Sequence, residues 1–127
     1  MSHGYEVHQE LLKAYNMDPM RGEPIKAIVD HYQQMGEWNM AYLYSKFGKS
    51  NFHGNSPYPK KLLFVDESLY NWRFLEAHAA SALYVGKRNE AKDSFMELVD
   101  MIRKKPQLFP DNEVERIMSN AALFNSL

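Results

Sequence analysis

The sequence predicts an all-helical fold, a short stack of antiparallel helix pairs with a Pro-rich loop inserted in the middle. Three observations predict it. Apolar residues recur at helical spacing in six separate stretches. No stretch of comparable length alternates with period two, as a half-buried strand would. A phrase of Gly, four residues and Ala at Gly36–Ala41 recurs at Gly86–Ala91, each time between two helical stretches. The 127 residues suit one domain, residues 1–127, and 45% apolar with 24% charged residues is the balance of a chain that folds.

The helical stretches follow in order. Val7, Leu11 and Ala14 stripe the first, with Asp18-Pro19 at its end. Ile25, Ile28, Val29 and Tyr32 stripe the second, opened by Pro24 in its first turn. The third runs from Glu37 to about Ser50, with Trp38, Ala41, Tyr44 and Phe47 as its apolar positions. A long break then covers about 51–65. There Gly54, Asn55, Ser56, Pro57 and Pro59 oppose helix, and Leu62–Val65 reads as an extended linker. The fourth helix opens at Asp66 as N-cap and carries Leu69, Trp72, Leu75, Ala79, Ala82 and Leu83. Ala91, Phe95, Leu98 and Ile102 stripe the fifth, and Arg103-Lys104-Lys105 suit the negative pole at its end. Val114, Ile117, Met118 and Ala121 stripe the sixth, where Asn112 and Glu115 are spaced as a capping box.

The repeated phrase has a physical logic. Gly36 and Gly86 let the chain turn between antiparallel helices because glycine accepts positive φ. Ala41 and Ala91, five residues on, are small enough for close approach to the neighbouring helix. This turn resembles the core of the tetratricopeptide repeat. Tyr32 before the first Gly and Phe95 after the second Ala fall at the family's aromatic positions. The two glycines are 50 residues apart. Against a repeat of ~34 residues this leaves about 16 inserted ones, which coincide with the Pro-rich stretch. Leu98 also stands where the family usually has a small residue.

A narrower resemblance spans almost the whole chain. Arg21-Gly22-Glu23-Pro24, Met35-Gly36, Met40-Ala41-Tyr42-Leu43-Tyr44, Leu63-Phe64-Val65, Tyr70-Asn71-Trp72 and Tyr84-Val85-Gly86 carry it. Together they resemble the helical repeat region that follows the catalytic domain in some family-2 glycosyltransferases, loop included. The resemblance implies an accessory region of a longer, glycosyltransferase-like protein, with that catalytic domain as one partner. The metal-holding Asp-x-Asp element of such a domain is missing, since no Asp here has another two places on. An active site of that kind would therefore lie outside this sequence, and the chain itself is expected not to be an enzyme.

Other chemistry finds little to hold. Cysteine is absent, which removes disulfides, thiolate metal sites and cysteine catalysis, and fits a cytoplasmic location. Five His residues form neither HExxH nor His-x3-His, so no metal site and no cofactor are expected. Gly48-Lys49-Ser50 matches the tail of a phosphate-binding loop, but Leu43 stands where its first Gly is required. No nucleophile elbow is present. A net charge of −1 gives no field for nucleic acid, and no apolar run reaches the ~18 residues of a membrane span.

Function is therefore expected from surfaces. In a repeat of this kind the first helix of each pair lines a concave groove. That places Lys26, Asp30, Gln33 and Gln34 on one side and Arg73, Glu76, Ala80 and Tyr84 on the other, facing a protein or peptide partner. Trp38, Trp72 and Phe95 are expected in the core. Met118, Ala122, Leu123 and Phe124 form an apolar end through which a homodimer is expected. The rival reading is a small helical enzyme or carbohydrate-binding module. Its pocket would sit under the Pro-rich loop, walled by Tyr58, Phe64, Tyr70 and Trp72.

Overall fold

A computed structural model describes residues 2–17, 22–54 and 72–125, except the side chains of 2–7, 121 and 123–125. The described residues are helical: α1 (Ser2–Met17), α2 (Glu23–Gln34), α3 (Trp38–Phe52), α4 (Phe74–Tyr84), α5 (Arg88–Lys104) and α6 (Asp111–Asn125). A short 3-10 turn, Pro106–Leu108, links α5 to α6. Each helix packs on the next in sequence, and α2 also touches α4. The extended linker at 62–65, the Asp66 cap and Asp18-Pro19 lie outside the described residues.

The two glycine turns close identically. Gly36 has φ 73° and Gly86 φ 82°, the left-handed region that favours glycine. The N–H of Glu37 bonds to the Tyr32 carbonyl and that of Gly36 to Gln33. At the second turn Lys87 bonds to Ala82 and Gly86 to Leu83 in the same pattern. Each pair satisfies carbonyls that the ending helix leaves free, and reverses the chain at once. Ala41 and Ala91 follow in the next helix, both fully buried.

Side-chain hydrogen bonds join alternate helices into two layers. His8 of α1 meets Tyr44 of α3, and Tyr42 and Lys49 of α3 reach Glu90 and Ser94 of α5. On the other side Gln33 of α2 bonds to α4 at Ser81, and Glu76 of α4 to α6 at Arg116. Apolar residues fill the space between the layers. Ile25, Ile28, Phe52 and Phe74 form one patch, and Trp72, Leu75, Leu98, Ile102, Phe109 and Ile117 another. Trp72 and Phe95 are buried as expected, and the Trp72 indole N–H bonds to the Leu108 carbonyl.

Four local expectations are corrected. On α1 the packed residues are His8, Leu11, Leu12 and Tyr15, whereas Ala14 is exposed. On α3 the buried line is Ala41, Ser45, Gly48 and Phe52, and Phe47 is exposed. Helix α3 lies between α2 and α4, so where it comes closest, at Ala41, Ser45 and Gly48, its inward positions are small, which an apolar stripe does not reveal. Trp38 is only partly buried, stacked on Tyr84 with ring centroids 3.9 Å apart. At α6 the helix begins at Asp111, so Asn112 lies inside the first turn and is not its cap. The N–H groups of Glu113 and Val114 bond instead to the carbonyl of Pro110, whose fixed φ suits the start of a helix.

Gly48 is the tightest point. A Cβ built there would lie 2.1 Å from the Phe74 ring, which is itself fully buried. Gly-to-Ala inside a helix normally stabilises by up to ~1 kcal/mol. Here Gly48→Ala is expected to destabilise by roughly 1–3 kcal/mol through overpacking. Thermal unfolding checks the sign, with exposed Leu43→Ala as the near-neutral control.

Candidate functional site

Helical spacing sets one face each of α2, α4 and α6 toward a shared groove. Lys26 and Gln33 lie two turns apart on α2; Arg73, Glu76, Ala77 and Ala80 recur along the start of α4; Arg116 and Asn120 lie one turn apart on α6. Phe95 of α5 reaches between them. The cavity they line measures about 150 Å³.

The groove's polar groups are largely engaged with one another. Lys26 pairs with Asp30 one turn on. The Gln33 amide donates to Ser81 Oγ at 3.0 Å and to the Ala77 carbonyl at 3.4 Å, tying α2 to α4. Arg116 holds both carboxylate oxygens of Glu76, one of them at 3.0 Å, and also pairs with Glu113. The Glu76 bond, then that of Glu113, pushes the Arg116 guanidinium further up from an already high value. Arg73 lies over the Trp72 ring at 4.5 Å.

Of the residues expected to face a partner, the structure brings Lys26, Gln33, Arg73, Glu76 and Ala80 to one groove. Asp30 stands beside it through its pair with Lys26. Gln34 and Tyr84 are exposed but do not line it; Tyr84 is occupied by the stack with Trp38. The sequence reading missed Arg116, Asn120, Ala77 and Phe95. Reading α6 as the first helix of a further pair would have found the first two, since they share one face. Phe95 joins the core, as its spacing predicts, and also reaches the groove.

A second constellation lies inside the fold. His78 of α4, almost fully buried, sits between Ser94 and Glu90 of α5. Lys49 donates to Ser94 Oγ at 2.9 Å, so the single Ser94 hydroxyl proton is available for His78 Nδ1 at 2.8 Å. That leaves His78 Nε2 carrying the proton it donates to Glu90, 3.2 Å away. The Tyr42 hydroxyl donates to Glu90 and accepts from Lys46. The order hydroxyl, imidazole, carboxylate is that of a hydrolytic triad. Ser94 is however fully buried, with its oxygen already shared between Lys49 and His78, so no substrate carbonyl reaches it. The network binds three helices together and satisfies their buried polar groups.

A third cluster joins α1, α2 and α3. His8 contacts the hydroxyls of Tyr32 and Tyr44 with its two ring nitrogens. In the neutral ring one hydroxyl donates and the other accepts. Burial, with His31 nearby, pushes His8 below its ordinary value, and burial pushes both tyrosines up.

Trp72, one wall of the rival pocket, is closed inside the core, and Tyr58, Phe64 and Tyr70 lie outside the described residues. Among the described residues no group of three His, Asp or Glu is placed to hold a metal ion. None of the described helices is long and apolar enough to cross a membrane. At the expected dimer end Met118 and Ala122 are exposed, and the side chains of Leu123 and Phe124 are not described. Comparison of the chain with family models, curated proteins and solved structures finds no match.

Burial holds the His78 imidazole below its ordinary value of 6.5, against the pull of Glu90. The Tyr42 bond holds Glu90 below its own ordinary value. Both groups bind protons more readily in the unfolded chain, so stability rises with pH. Their contributions are complete above the unfolded values and are lost as pH falls through the folded ones. Denaturant midpoints are expected to drop as pH is lowered from about 6.5. His78→Gln should reduce that slope while costing roughly 1–3 kcal/mol at neutral pH, by leaving buried partners unmatched.

Proposed function

We propose that this chain is a non-catalytic, tetratricopeptide-like interaction module whose groove between α2, α4 and α6 receives an extended peptide segment of a partner protein. The observation that carries the reading is the convergence on one groove of residues from three helices far apart in sequence. Lys26 and Gln33 meet Arg73 and Glu76, with Arg116 and Asn120 beyond them. An open groove with a polar rim and a short apolar floor suits a peptide, whose backbone needs hydrogen bonds along its length. The repeat assignment draws support from the two turns, which share glycine conformation and bonding pattern. The non-catalytic assignment draws support from the sealed position of Ser94.

The wider setting rests on sequence phrases alone. Arg21–Pro24 and Met40–Tyr44, with Tyr84-Val85-Gly86, support an accessory region of a cytoplasmic, glycosyltransferase-like protein. Gly22 and Pro24 have a structural use here as well. Pro24 occupies the first turn of α2, and Gly22 leaves room for the Phe52 and Phe74 rings, 3.0 Å from the place of a Cβ.

Selection of random ten-residue peptides displayed against the immobilised chain tests the proposal. Enriched peptides are expected, and Arg73→Glu and Asn120→Ala should each weaken them about tenfold or more, as loss of a central interface residue does. Met96→Ala, exposed on α5, should leave them unchanged. Absence of enrichment, or binding indifferent to both groove variants, would sink the reading.

A further inference from the structure

Helix α3 presents a second face besides its buried one. Ala41, Ser45, Gly48 and Phe52 turn inward. Met40, Leu43, Tyr44 and Phe47 follow the i, i+3, i+4, i+7 spacing of another side of the helix, and that side is apolar. Tyr44 packs on the core, whereas Leu43 is 57% and Phe47 38% exposed. A cleft of about 340 Å³ runs along this face, walled also by Leu12 and Tyr15 of α1 and based on Ile25 of α2. It shares no residue with the groove between α2, α4 and α6, so what it holds is independent of the peptide reading.

Size, length and chemistry together define the occupant. The volume falls within the ~300–1,000 Å³ of small-molecule pockets, and is about twice the ~150 Å³ cavity that takes up benzene. The face from Met40 to Phe47 rises only about 10 Å along the helix. A stable protein interface needs ~800 Å² on each partner, far more than a cleft of this length offers. No lining residue is charged, and Lys13 and Lys46, next in sequence to Leu12 and Phe47, are paired with Glu10 and Glu90. A charged molecule would lose its hydration there with nothing to replace it. Among the apolar walls only Ile25 is buried, so covering the others removes apolar surface from water. Tyr15 and Phe47 meet edge to face, with centroids 5.8 Å apart, an arrangement that an aromatic ring between the helices would extend. Exposed Asn16 brings one amide, a donor and an acceptor, to the rim.

We propose that the cleft between α1 and α3 binds one uncharged aromatic molecule of about two fused rings, its body against Leu43 and Phe47 and its single polar group toward Asn16. Met40, unbranched and flexible, adapts the wall to the ligand's outline.

Titration of the isotope-labelled chain with naphthol, two fused rings and one hydroxyl, tests this through amide chemical shifts. Saturable shifts are expected at 12–16 and 40–47. Naphthalene sulfonate, the same rings carrying a charge, should bind about tenfold more weakly or worse. Leu43→Asp puts a charge into the wall, and Leu43→Trp fills the cleft without one. Each should weaken naphthol about tenfold or more, while its own spectrum reports that the variant is folded. Met96→Ala, exposed on α5, should leave binding within about twofold. Naphthol that does not saturate, that binds no tighter than its sulfonate, or that is indifferent to both Leu43 variants overturns the inference. Light scattering on the same samples addresses the rival occupant. A dimer that Leu43→Asp dissolves would mean that a second copy covers the cleft, and overturns the inference too.

Discussion

The close approach of α3 to α4 is the constraint on which the remaining structure depends. Gly48 lies against the fully buried ring of Phe74, at a distance that leaves no room even for a methyl group. Ala41 and Ser45 continue the same line of small residues along α3. Because α3 lies so near, Phe74 stacks on Phe52 with centroids 5.6 Å apart, and the patch with Ile25 and Ile28 closes across α2. Ser45 satisfies its buried hydroxyl within the helix by bonding to the Tyr42 carbonyl, so the small position adds no unmet polar group. Interiors packed this densely transmit displacement, so the positions of α2 and α4, and hence the width of the groove between them, follow from α3.

The polar network does a related task by different means. Lys49, Ser94, His78 and Glu90 form one directional chain of hydrogen bonds, with Tyr42 and Lys46 closing it on the α3 side. Apolar packing alone would allow α3, α4 and α5 to slide; a chain of donors and acceptors in fixed order sets their register. The groove on the opposite layer is open, and its ion pairs stand at the rim. The described residues thus keep their most demanding polar chemistry inside, where it orders the helices, and leave the groove open at the surface.

Much of the candidate site was legible because helical spacing is strict. Lys26, Gln33, Arg73, Glu76 and Ala80 followed from their positions on the two helices before the glycine turns. Tyr84 was placed with them by the same spacing, yet the nearby end of α3 draws it into a stack with Trp38. Arg116 and Asn120 are polar and flank the apolar stripe of α6, so the hydrophobic period does not mark them. The inner network left no trace in the sequence. Glu90 and Ser94 are one turn apart, but His78 and Lys49 come from other helices, and no motif joins them.

The sequence by itself determined the all-helical class, the two glycine turns and the approximate ends of most helices. These are local properties: apolar period, glycine's access to positive φ, and proline's fixed geometry act within a few residues. Only the tertiary structure decided which face of each helix turns inward. Phe47 has the chemistry of a core residue and Gly48 does not, yet Gly48 is buried and Phe47 exposed. Helix α3 has neighbours on two sides, and the space they leave is set by side chains such as Phe74, distant in the chain. At Gly48 that space admits only a small residue, and a period of hydrophobicity carries no information about it.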